Sequence, residues 1–112
     1  SMKSRFNRIS RLDVPLRVAV EMYDMEHHGE RVWFARVVQR LTSIVEYYDL
    51  LDAFDILRDF GILSGEYGTT EHGYAVYLYS LTEYGNTAIS KIYDVIVSNN
   101  VDTTISPINE VQ

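Results

Sequence analysis

The groups in this 112-residue chain that could carry chemistry are mostly charges, and they are unevenly spread. Lys3, Arg5, Arg8 and Arg11 stand in the first twelve residues with no acid among them. The other hundred residues hold all sixteen acids against the remaining six bases. A short basic arm attracts a polyanion, whereas an acidic body repels one. A solubilising terminal tail explains the arm equally well. Arg36 and Arg40 form a second basic pair, one helical turn apart. Opposite in sign, Glu46, Asp49, Asp52, Asp55 and Asp59 share one stretch with a single base, Arg58.

Other chemistry is poorly supplied. With no cysteine, thiol nucleophiles, disulfides and Cys-based zinc sites are excluded, which fits a cytoplasmic protein. Glu26, His27, His28 and Glu30 are metal-ligand types, but adjacent histidines on a helix point about 100° apart and do not converge on one ion. They read better as a helix C-terminus, where the dipole favours histidine. There is no Ser/His/Asp signature and no phosphate loop, so the residues predict neither an enzyme, nor a cofactor, nor a metal site. The start lacks an apolar core of the kind a secretory signal needs, and no apolar run approaches the roughly 18 residues of a membrane span. Nine tyrosines are many for this length. Base stacking is one use for them, but packing in a sheet or dimer core is the better expectation, because strands favour aromatic residues.

The elements that must position these groups can be read from period and punctuation. A basic arm, 1–12, precedes a domain over 13–98, and a tail, 99–112, follows with no clear period and with Pro107. Asp13 can cap a helix from Val14-Pro15 to about His28, stopped by Gly29. Leu16, Val18, Ala19, Val20, Met22, Tyr23 and Met25 wrap more than one side of that helix, so a second cover besides the core, such as another subunit, is expected. Arg31-Val32-Trp33 reads as a short strand. A second helix, about Phe34 to Leu41, places Phe34, Val37, Val38 and Leu41 on one face and Arg36 and Arg40 on the other. Thr42-Ser43 is a turn and a candidate cap.

The third helix is expected from about Val45 to Phe60, with an apolar stripe of Tyr47, Leu50, Leu51, Phe54 and Leu57. Tyr48, Asp52, Asp55 and Asp59 make the opposite face, and Gly61 ends the helix. Strands at about Ile62–Tyr67 and Tyr74–Leu81 flank a polar, glycine-bounded loop and make a hairpin with a flexible tip. Thr82 caps a last helix, about Glu83 to Val97, with Ile89, Ile92, Tyr93 and Ile96 on one face.

The order is helix, short strand, helix, helix, hairpin, helix, an α+β class. It resembles a winged helix-turn-helix over about Asp13 to Val97. Leu57-Arg58-Asp59-Phe60-Gly61-Ile62-Leu63 resembles the exit from a recognition helix. Tyr79-Ser80-Leu81-Thr82-Glu83-Tyr84-Gly85 is similar to the exit from the wing in PadR-like and MarR-like transcription regulators. Val32-Trp33-Phe34 resembles the entry to the second helix in small archaeal winged-helix proteins.

The resemblance implies a cytoplasmic, dimeric DNA-binding transcription regulator. Its third helix would enter the major groove with Ser43, Glu46, Tyr47, Tyr48 and Asp52, and its wing tip would be Thr69, Thr70, Glu71 and His72. The chain departs from the pattern because its wing has no Lys or Arg and its third helix is acidic. Phosphate contacts are therefore expected from Arg36, Arg40 and the arm residues Lys3, Arg5, Arg8 and Arg11, with Arg31 the other base nearby. The partners expected are double-stranded DNA and a second copy bound through the first and last helices. Three readings of the acidic stripe stay open: a solvated face, a surface that binds a basic protein partner, or a face masked by Arg36 and Arg40 pairing with Asp49 or Asp52.

Overall fold

The computed structural model describes residues 14–99. The basic arm, the Asp13 cap, the side chain of Ile96 and the tail from 100 onward lie outside the described part. The elements are α1 (Val14–His27), β1 (Val32–Trp33), α2 (Phe34–Leu41), α3 (Tyr47–Asp59), β2 (Leu63–Thr69), β3 (Ala75–Leu81) and α4 (Glu83–Asn99). The three strands form one antiparallel sheet in the order β1-β3-β2. Trp33 pairs with Leu78, and the β2–β3 hairpin runs in unbroken register from Leu63↔Leu81 to Thr69↔Ala75. This is a winged helix: three helices, a small sheet and a wing, closed by α4.

α1 is the central packing element. Val18, Ala19, Met22 and Met25 are fully buried. They meet Val37 and Leu41 of α2, Leu50, Ala53, Phe54 and Leu57 of α3, and Ile89 of α4 in one core. Leu16, Val20 and Tyr23 are only partly buried, although they too pack against that core. Part of the second face is covered within the chain. Tyr23 lies 4.9 Å from Tyr93 of α4, ring centre to ring centre, and Tyr93 donates a 2.9 Å hydrogen bond to Asp24 Oδ1. That bond holds the Tyr93 phenol above its ordinary pKa, with burial adding to the effect.

Two features of α3 differ from the sequence-based expectation. The buried stripe is Leu50, Ala53, Phe54 and Leu57, whereas Leu51 is 38% exposed and Tyr47 48% exposed. The face turned to α1 is centred one position to the side, so the small Ala53 takes the place assigned to Leu51. The start also lies later than expected. Buried Val45 is drawn into the core, a turn over 42–44 and an extended Glu46 precede the helix, and Ser43 sits in that turn rather than capping the helix. No side chain caps α3 at Glu46.

The end of α3 follows local chemistry. Gly61 has φ +73°, and the two bonds Gly61 N–H to Arg58 O (3.0 Å) and Ile62 N–H to Leu57 O (2.9 Å) close a Schellman turn. That turn aims the chain into β2.

The far end of the hairpin is tied back to α3 by Thr82. Its N–H donates to Ile62 O (2.9 Å), its hydroxyl donates to Gly61 O (2.6 Å), and its oxygen accepts the Gly85 N–H (2.9 Å) as the N-cap of α4. Gly85 packs so close that a Cβ there would collide with the Ile62 carbonyl oxygen. The Leu-Thr-x-x-Gly motif is thus a lock between the start of α4 and the end of α3.

Candidate nucleic-acid interface

A winged helix presents α3 and its wing, and the surface between them here is aromatic and acidic. Six ring contacts form an unbroken chain: Tyr48–Tyr47 (5.5 Å), Tyr47–Phe34 (5.5 Å), Phe34–Phe54 (5.1 Å), Phe54–Tyr79 (4.7 Å), Tyr79–Tyr77 (5.2 Å) and Tyr77–Tyr67 (4.9 Å). All six are tilted near perpendicular, the edge-to-face arrangement that ring quadrupoles favour. The middle of the chain is core, since Phe54 is buried and Tyr79 packs against the core. Its two ends are surface: Tyr48 is 76% exposed and Tyr67 87%. The tyrosines therefore divide between packing and display, and the chain fixes the first turn of α3 relative to the wing.

The acids of α3 are exposed, and among the described residues the one ion pair they make is Asp55 with Arg58 at 2.9 Å, within the same helix. Arg36 and Arg40 do not mask them. Arg40 faces α1 instead. It bonds Glu21 at 2.6 Å and both oxygens of Glu30 at 2.9 and 2.7 Å, with Asp24 at 3.9 Å. Burial opposes the Arg40 charge, but the Glu21 and Glu30 carboxylates outweigh it and raise its pKa. The proposed pairing with Asp49 or Asp52 fails because α1 and the link to β1 supply a denser cluster of acids on the side α2 actually faces.

Arg36 turns toward the wing. Its guanidinium lies 3.9 Å over the Trp33 ring, and Nη1 donates to Arg31 O (2.7 Å) and Glu71 Oε2 (2.9 Å). The same Glu71 oxygen accepts the Arg31 N–H at 3.1 Å. The Arg31 side chain bonds the Thr69 and Thr70 carbonyl oxygens at 2.9 and 3.1 Å. The Glu71 carboxyl is consequently held down to a pKa of about 2, chiefly by the Arg36 bond and then by the Arg31 amide.

The wing tip is thus a fastened turn, not a flexible loop of unattached polar residues. Thr70 Oγ1 accepts the His72 and Tyr74 amides at 3.2 and 3.1 Å, so both its lone pairs serve the turn while its O–H can still donate. Thr69 Oγ1 lies 3.3 Å from Arg31, and His72 is exposed.

The other groups singled out in the sequence do not gather. His27 Nδ1 lies 2.9 Å from Tyr23 O and His28 Nδ1 2.7 Å from Asp24 O, each one turn back along α1. Among the described residues no three His, Cys, Asp or Glu side chains are grouped to hold a metal ion. Sequence reasoning missed an open cleft of about 190 Å³ between the end of α1 and β3, lined by Glu26, Glu30, Arg31, Tyr79 and Ser80 among others. Glu26 Oε2 accepts the Leu81 N–H there at 3.0 Å, and burial pushes its carboxyl above the ordinary range against that bond and His27.

Searches with family models and against curated proteins find no match. Comparison with solved structures finds a PadR-like transcriptional regulator from Bacillus cereus strain ATCC 14579, with a TM-score of 0.60 at 11% sequence identity. The match covers 85% of this chain and 93% of that one. At that identity the likeness establishes the winged-helix fold alone.

Proposed function

We propose that this chain is a winged-helix transcription regulator that binds double-stranded DNA as a cytoplasmic homodimer. The observation that carries the reading is the full-domain likeness to a protein described as a transcriptional regulator. The ring chain that sets α3 against the wing adds to it. No described helix is long and apolar enough to cross a membrane.

Ser43, Tyr47 and Tyr48 meet the bases in this reading, while Thr69, Thr70 and His72 approach the flanking backbone. Phosphate attraction comes chiefly from Lys3, Arg5, Arg8 and Arg11, because Arg40 is surrounded by carboxylates and Arg36 is paired with Glu71. Dimerisation uses α1 and α4. The partly buried Leu16 and Val20 and the exposed Tyr84 and Val95, 66% and 58% exposed, provide its apolar surface. Two copies of α3 then address a two-fold site.

Titration of the full chain with random-sequence duplex by fluorescence anisotropy tests the reading. Binding at about 50 mM salt that weakens steeply toward about 200 mM is expected. A folded protein that binds no duplex at the lower salt contradicts it, and the acidic α3 face would then point to a basic protein partner.

A further inference from the structure

The wing of this chain carries an acid into a place built for an anion. Arg36 is oriented by two contacts that do not involve Glu71: the Trp33 ring at 3.9 Å and the Arg31 carbonyl at 2.7 Å. The Arg31 amide, 3.1 Å from the carboxylate, points into the same place. A guanidinium and a backbone N–H converging on one point are the donors that a phosphate oxygen takes. Glu71 fills that point with Oε2, yet its side chain stays 37% exposed, so solvent and ligands can reach it.

We propose that Arg31 and Arg36 form a phosphate-binding notch and that the Glu71 carboxylate seals it in the free protein as a built-in stand-in for the phosphate. That the natural occupant is a phosphodiester of DNA rests on the function proposed above, whereas the notch itself is open to test with inorganic phosphate. A tethered carboxylate competes at an effective concentration on the order of millimolar. A lone phosphate loses that competition. A duplex held at several other points wins it, so the wing engages only after the arm and α3 have docked. The seal would therefore suppress weak, wing-only association with stray polyanions.

The test uses the full chain, the Glu71→Gln variant and the Glu71→Gln/Arg36→Gln double variant. NMR reads the Arg31 amide and the Arg36 guanidinium during titration with inorganic phosphate. In Glu71→Gln both signals should shift and saturate at a phosphate concentration at least about tenfold lower than in the parent chain. The double variant should lose that response. Equal responses in parent and variant, shifts elsewhere on the surface, or a Glu71→Gln wing that loses the Trp33–Leu78 pairing and gains no phosphate response would each overturn the proposal.

A second arm replaces phosphate with random duplex. Tighter binding by Glu71→Gln, with a salt slope steeper by about 1, identifies the phosphodiester as the occupant. If phosphate seats in the variant but neither protein binds duplex, the notch stands as a site for free phosphate and the DNA reading falls alone.

Discussion

Arg40 and Arg36 illustrate how an acidic domain uses its few bases. Each is an exposed-looking cation in the sequence, and each is spent on carboxylates from elsewhere in the chain. Pairs this close to the surface contribute only about 0–1 kcal/mol each, so their larger effect is on the local potential. Glu26 is the opposite case, an acid with no ion pair among the described contacts and one backbone N–H to satisfy. Burial raises its carboxyl pKa in the folded chain. The native state therefore binds a proton more tightly than the unfolded chain. Its charge costs stability above the folded pKa, and that cost is relieved as pH falls through the folded pKa toward the ordinary 4.5. Glu26→Gln keeps an acceptor for Leu81 and removes the charge. Its melting temperature at neutral pH should equal or exceed the parent's, with the gap closing as pH falls. Glu71 titrates the other way: its contact is complete above the ordinary 4.5 and is lost as pH falls through about 2.

Element boundaries were legible where a residue type performs a local task. Gly61 and Thr82 were recognised as punctuation and Gly85 only as part of a family-like motif, and the structure supplies the task of each: a left-handed stop, a cap, and a close approach to the Ile62 carbonyl. Gly85→Ala should lower stability by about 1–3 kcal/mol, since the added methyl meets backbone rather than a yielding side chain. Thr82→Ala should cost about 1 kcal/mol for the lost cap. Urea denaturation checks both, and a Gly85→Ala protein as stable as the parent would refute the lock between α3 and α4. Where two residues of similar type compete for one face, the period was a poorer guide. Leu51 and Ala53 lie either side of the line toward α1, and the choice of Ala53 depends on how closely the helices approach, which no local pattern encodes. Nor did Ser43 announce that Val45 would pull the turn into the core and delay α3.

Across the whole molecule, the order of elements was readable because each has its own period and stop, but the site was only partly so. The residues of α3 and the wing could be named. The ring chain from Tyr48 to Tyr67 and the Glu71 seal could not, because they join residues remote in sequence through side-chain direction; Arg36 and Glu71 are 35 positions apart. Those contacts shift the electrostatic account. Arg31, Arg36, Arg40 and Arg58 are all engaged within the domain, so in the proposed function the attraction for a polyanion rests chiefly on the four bases of the arm.

The most direct test compares the full chain with one lacking residues 2–11, titrated with the same random duplex from about 50 mM to about 200 mM salt. Removing four bases should weaken binding throughout and reduce the slope of log K against log salt by up to about 3–4 per protomer. Unchanged affinity and an unchanged slope would contradict the account, because the arm would then contribute nothing to phosphate binding.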